Sequence, residues 1–179
     1  MPATERAFAE APPAHLYLDT NILVAHFVSN HVHHEQARDF LLPLFASGLT
    51  TLYVSPLTWV ELTHVVCQAE FRQALPEQWQ REARLARWDR ADVRRAYLRS
   101  FWVALEQLLN QFGWTEIALT EGMRARALTH VSDYGLAPED ALHLAAAQET
   151  GVFDLASFDA AFRRVDGLSL WNDHLYGAS

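Results

Sequence analysis

Lysine is absent from this chain: all fourteen basic residues are arginine. A phosphate-binding lysine is therefore excluded, and any positive surface has to be built from guanidinium groups, the better fork for phosphate. Cysteine occurs once, as Cys67. A single thiol forms no internal disulfide and excludes a cysteine-rich zinc site, which fits a reducing compartment; Cys67 reads as a small buried residue. No apolar run approaches the ~20 residues of a membrane span. The opening Met1-Pro-Ala-Thr-Glu-Arg6 lacks the apolar stretch of a signal peptide. The expectation is a soluble, cytoplasmic protein with no membrane partner.

Positive charge is scarce overall. The formal net charge is −8, whereas nucleic-acid binders are normally basic. Two considerations offset this. An acid-lined site is neutralised once it holds divalent cations, and positive charge can be local. Half of the 179 residues are hydrophobic and 12% aromatic, enough for one domain with a sizeable core.

Residues 1–14, with Pro2, Pro12 and Pro13, read as a loose leader to a single domain over 15–179. His15 to Asp19 reads as a buried strand and Asn21 to Val28 as a helix. Glu35 to Ala46 has helical spacing and ends before Gly48. Thr51 to Val54 is a second strand. Ser55-Pro56 then opens a helix, with serine as N-cap and proline at the first helical position. Residues 70–112 read as a helical insert, broken at Pro76 and restarted at Asp89 or Asp92. Thr115 to Leu119 is a third strand, followed by helices over 121–131 and 138–150, the second closed by Gly151. Val152 to Ala156 and Leu168 to Trp171 complete five strands. Alternation of strands and helices predicts an α/β/α sandwich around a mostly parallel sheet.

Four acids fall where strands hand over to helices. Asp19 ends the first strand, and ligand crevices of open parallel sheets lie at the carboxyl ends of strands. Glu61 sits in the Ser55-Pro56 helix between Val60 and Leu62. Asp140 lies in the first turn of the helix opened by Pro138. Asp159 follows the fourth strand, and is preferred to Asp154, which falls inside it. Gathered in one pocket, such charges repel unless a cation neutralises them. Hard oxygen ligands without thiolate suit Mg2+ or Mn2+, and the chemistry implied is hydrolysis of a phosphodiester.

Leu16-Tyr-Leu-Asp19-Thr20-Asn21 resembles the opening motif of PIN-domain nucleases. Glu61 after Ser-Pro-Leu-Thr-Trp-Val, Pro138-Glu-Asp140-Ala-Leu-His-Leu-Ala and Ser157-Phe-Asp159-Ala-Ala-Phe162 resemble its second, third and fourth acidic motifs. Their order and spacing match over most of residues 15 to 172. The resemblance implies a PIN fold and a divalent-metal endoribonuclease that cuts single-stranded or structured RNA. Asp19, Glu61, Asp140 and Asp159 would be its catalytic residues and metal ligands, with Asn21 and Ser157 in support. Within that family the chain is most similar to VapC-type toxins, which implies a cognate antitoxin protein filling the active-site groove, and a homodimer. It departs from the family at Ala161, where a further aspartate is common, at Ser157 in place of threonine, and in the long insert.

The insert concentrates Arg81, Arg84, Arg87, Arg90, Arg94, Arg95 and Arg99 among Glu77, Glu82, Asp89 and Asp92. One reading is a salt-bridged solvent face. The other is an RNA-guiding surface, with Arg84, Arg87 and Arg95 as candidate RNA-binding residues and Trp79 and Trp88 as stacking planes; Arg124, Arg126, Arg163 and Arg164 form a second basic set. His31, His33 and His34 read as a polar loop, having no further soft ligand nearby, and His143 as a packed histidine. An aspartate-nucleophile phosphatase is disfavoured because the position two after Asp19 is Asn21 and there is no lysine. The remaining alternative is a PIN-fold RNA- or protein-binding module without catalysis, which the presence of all four acids opposes.

Overall fold

The computed structural model describes residues 1–73, 87, 90–111 and 113–173. Among them the elements in chain order are β1 (Thr4–Arg6), β2 (His15–Leu18), α1 (Thr20–Phe27), α2 (His34–Ser47), β3 (Thr51–Val54), α3 (Pro56–Gln73), α4 (Ala91–Gln111), β4 (Trp114–Glu116), α5 (Glu121–Tyr134), α6 (Pro138–Glu149), β5 (Asp154–Ala156), a 3-10 turn (Ala160–Arg164) and β6 (Ser169–Trp171). The strands form one sheet in the order β1-β6-β5-β2-β3-β4, and every pairing is parallel.

Side-chain alternation along β2 divides the core. Leu16 and Leu18 point into the layer made by α1, α2, α3 and α4, together with Leu52, Val54, Ala156 and Trp171. Tyr17 points the other way, into the layer of α5 and α6, with Leu155 and Leu170. Period-two alternation thus builds two cores from one strand, each covered by amphipathic helices. Gly48 and Gly135 end α2 and α5 in the left-handed conformation, at φ of 61° and 62°, where a Cβ is costly.

The expected α/β/α sandwich is present, with one strand more than the five anticipated. Residues 1–14 are not merely a leader, because Thr4–Arg6 pairs with β6 at the sheet edge. A backbone bond from Thr4 to Leu168 O (2.8 Å) and an ion pair from Arg163 to Glu5 (3.0 Å) fasten it. Phe8 then stacks on Phe40 with ring centroids 4.0 Å apart. The helix within the insert restarts at Ala91, between the two aspartates considered. Pro76, Trp79, Arg81, Arg84, Trp88 and Asp89 lie outside the described residues, as do Glu77 and Glu82.

What matters for the site is the strand order. From β2 the chain moves outward to β3 and β4 on one side, while β5 and β6 occupy the other. The switch lies between β2 and β5, and a crevice opens at their carboxyl ends. Asp19 and Ser157 are the residues that follow those two strands.

Candidate active site

Asp19 leaves β2 with its backbone N–H bonded to Ala156 O at 3.1 Å and is 4% exposed. Ser157, across the switch, donates its hydroxyl to Asp19 Oδ2 at 2.6 Å. Ser157 Oγ itself accepts from Asn21 Nδ2 at 2.9 Å and from the Asp159 backbone N–H at 2.9 Å. Asn21 Oδ1 in turn accepts from the Phe158 N–H at 3.1 Å. Asn21 and Ser157 therefore stitch the start of α1 to the end of β5 and fix the Asp19 carboxylate between them.

Glu61 faces this group from α3. Its Oε2 accepts from Thr20 Oγ1 at 2.6 Å and from His143 Nε2 at 3.2 Å. His143, on α6 and almost wholly buried, also approaches Asp19 Oδ1 at 3.7 Å. Its other nitrogen meets the hydroxyl of Tyr17 at 2.9 Å. Asp140 lies one turn earlier on α6, so that Asp140 and His143 share a helix face. Asp19, Thr20, Asn21, Glu61, Asp140 and His143 line a cleft of about 410 Å³, with Val24, Val65 and Glu139.

The fields of these groups overlap. Burial pushes the Asp19 carboxyl up, opposed by His143, the Ser157 hydroxyl and the Thr20 backbone. Burial also pushes Asp140 up to about 6, helped by the negative charges of Asp19, Asp159 and Glu139. Glu61 goes the other way: burial would raise it, but the bonds from His143 and Thr20 hold it below the usual range. Burial alone would depress His143, yet its bond to Glu61 and the fields of Asp19, Glu61 and Asp140 outweigh that and raise it. The surrounding carboxylates thus favour the charged form of the His143 ring, the form that offsets negative charge.

Three of the four expected acids, Asp19, Glu61 and Asp140, face one cleft. Asp159 stands beside it, its Oδ1 capping the 3-10 turn by accepting from Ala161 N at 2.7 Å, and its charge reaches Asp140. Asp154 instead accepts from Trp171 Nε1 at 2.7 Å. Among the described residues no three His, Cys, Asp or Glu side chains are already drawn into a ligand shell. The chemistry of the donors nonetheless fits a hard cation: carboxylate oxygens, no thiolate, and charges whose mutual repulsion an ion would relieve. Sequence reasoning set His143 aside and passed over Thr20, Tyr17 and Glu139; the available signal was the three-residue spacing of Asp140 and His143.

The histidines near residue 31 form a polar loop. His31 Nδ1 accepts from the His33 N–H at 3.2 Å, His33 stacks on Phe158 at 4.3 Å, and His34 Nδ1 lies 2.9 Å from Ala25 O. Arg94, Arg95 and Arg99 line a groove of about 800 Å³ between α3 and α4, beside Val60, His64 and Trp102. Among the described residues none of these three guanidinium groups has a carboxylate partner, whereas Arg124, Arg126 and Arg163 pair with Glu121, Glu149 and Glu5.

Comparison with known proteins gives a family and a fold. The PIN-domain family model matches residues 16–168. No curated protein matches the chain. Among solved structures, the chain is similar to VapC20 of Mycobacterium tuberculosis, a Sarcin-Ricin loop cleaving toxin, with 16% identity over 82% of this chain and 92% of that one and a TM-score of 0.52. It is also similar to VapBC2 from Rickettsia felis bound to a DNA fragment from its promoter, with 16% identity over 87% and 96% and a TM-score of 0.51. At such identity the likeness to these two is one of fold.

Proposed function

The chain belongs to the PIN-domain family, and from that premise we propose that it is a divalent-metal-dependent endoribonuclease of the VapC-toxin kind. The observation that carries this reading is the convergence of Asp19, Glu61 and Asp140 on one cleft at the sheet's switch point, with Asp159 close enough to raise Asp140. Asp19, Asp140, Asp159 and Glu61 would hold Mg2+ or Mn2+. Once bound, such an ion supplies Lewis-acid polarisation of a phosphodiester and stabilises the leaving oxygen. Ser157 and Asn21 orient Asp19 by the bonds described above. Asp140, on the cleft wall, is a group able to take the proton released as water attacks phosphorus. Arg95 and its neighbours on α4 draw the RNA backbone toward the cleft. The likeness to VapC20 and VapBC2 supports a cognate antitoxin as the partner that silences it.

The test is cleavage of end-labelled RNA by purified protein with Mg2+, with Mn2+ and with EDTA. Cleavage is expected only with metal. Asp19→Asn and Asp140→Asn, which keep size but remove a charged ligand oxygen, are expected to reduce it to background while leaving the thermal melt cooperative. Cleavage that persists in EDTA, or in both variants, would sink the proposal. Metal-independent RNA binding without cleavage would instead identify a binding module.

A further inference from the structure

Glu61 has little freedom in this site. A carboxylate only accepts hydrogen bonds, so Thr20 Oγ1 and His143 Nε2 both donate to the same atom, Oε2, at 2.6 and 3.2 Å. His143 cannot turn away. Its side chain is 1% exposed, Nδ1 is engaged by the Tyr17 hydroxyl at 2.9 Å, and Nε2 also lies 3.2 Å from Thr20 Oγ1. Tyr17 is fully buried. The three residues come from three layers: the central strand β2, helix α1 on one face and α6 on the other. Glu61 Oε1 receives no bond from any described residue, and Glu61 lines the cleft. Two other acids show a similar tether: Asp19 Oδ2 is held by Ser157, and Asp159 Oδ1 by the Ala161 N–H.

We propose that Tyr17, His143 and Thr20 form a clamp that lets Glu61 offer only one oxygen to a cation, and that this clamp selects Mg2+ or Mn2+ against Ca2+. The inference rests on the metal-dependent reading above and adds the basis of ion choice. Mg2+ demands near-ideal octahedral geometry at about 2.0–2.1 Å, whereas Ca2+ gathers roughly six to eight oxygens, often with a carboxylate giving both. A glutamate free to rotate can become bidentate and meet the larger ion; a glutamate with one oxygen tied cannot. His143 is buried beneath the cleft and acts through Glu61, so it is a positioning residue. Such supporting partners set the orientation of metal ligands.

The test is calorimetric titration of Mn2+ and Ca2+ into the metal-free full-length protein, with no RNA present. Wild type is expected to bind Mn2+ more tightly. Thr20→Val and His143→Leu are each expected to narrow the Mn2+/Ca2+ affinity ratio by about tenfold or more, the usual reach of such supporting residues. His143→Gln, whose amide N–H can reach the same carboxylate oxygen, is expected to keep most of the discrimination. Thermal melts establish that each variant is folded; should His143→Leu unfold, the isosteric Thr20→Val carries the test. An unchanged ratio in folded Thr20→Val, or a wild type that does not discriminate, overturns the clamp and leaves the metal reading standing. A wild type that binds neither ion overturns the metal reading and the clamp together.

Discussion

Asp140 shows what it costs to bring carboxylates together. Burial and the charges of Asp19, Asp159 and Glu139 push its carboxyl up to about 6, from an ordinary 3.8, with His143 opposing. The folded protein therefore holds this proton more tightly than the unfolded chain. Between about pH 4 and pH 6 the folded state binds more protons, so this group's contribution to stability falls as pH rises, and above about 6 the penalty is fully present. Metal-free Asp140→Asn is expected to melt higher than wild type at pH 7, with the gap closing toward pH 4. Thermal melts in EDTA across that range measure it; parallel curves would refute the assignment. Asp19, Glu61 and Asp140 were legible in the sequence because each acid sits at a strand end or early in a helix beside apolar residues. The Tyr17–His143 contact was not, because 126 positions separate the two residues. Tyr17 reads as one more core aromatic, and nothing local tells a histidine that packs from one that holds a glutamate.

At the scale of elements, local chemistry marked the helices well and the strands less well. Pro56 and Pro138 begin α3 and α6, Gly48 follows α2 as expected, and Gly135 ends α5 in the same way. At the start of α3 the Ser55 backbone N–H donates to the Thr58 hydroxyl at 3.3 Å. The strands are only three or four residues long, so their bounds follow from neighbouring strands more than from composition. Apolar Val152 and Phe153 suggest strand, yet Val152 N still bonds back to Ala147 O as α6 closes. β1 was unreadable: Thr-Glu-Arg between proline-containing stretches has no apolar pattern, and its burial is exposed–intermediate–exposed. What holds β1 is the backbone ladder to β6 and the Phe8 ring behind it. Phe8→Ala is therefore expected to destabilise the fold by about 2 kcal/mol, combining lost stacking and burial. Urea unfolding measures the change; a loss below about 0.5 kcal/mol, as at an ordinary surface position, would show that the N-terminal segment only rests on the domain.

At the scale of the whole molecule, the proposed action on RNA requires a chain with a net charge of −8 to concentrate its attraction for phosphate. The arginines of the second basic set are already committed: Arg124, Arg126 and Arg163 are in ion pairs, and Arg164 donates to backbone oxygens of Ala161 and Gly135. Just before α4, Arg90 pairs with Asp92. Arg94, Arg95 and Arg99 face the groove shared with α3, the helix that also supplies Glu61 to the cleft. Trp102, 46% exposed, adds a plane on which a base can stack. The salt-bridged face expected of the insert is seen at Arg90 and Asp92, while Glu77, Arg81, Glu82, Arg84 and Asp89 lie outside the described residues. Of the three arginines named as RNA-binding candidates, Arg95 lies in this groove, Arg87 is exposed, and Arg84 falls outside the described residues. Replacing Arg94, Arg95 and Arg99 together by Ala is expected to weaken RNA binding and flatten its salt dependence. Each lost phosphate contact removes about 0.7 from the slope of log affinity against log salt for single strands, so three remove about 2. Metal affinity should be unchanged, since the carboxylates belong to other elements. Binding is measured by salt titration with the Asp19→Asn, Asp140→Asn double variant as background, so that RNA stays intact. Equal slopes with and without the arginines would mean that this groove does not track the RNA backbone. A neighbouring protein chain would then be the occupant to test there, with acidic residues to meet the arginines and apolar ones to cover Val60 and Trp102.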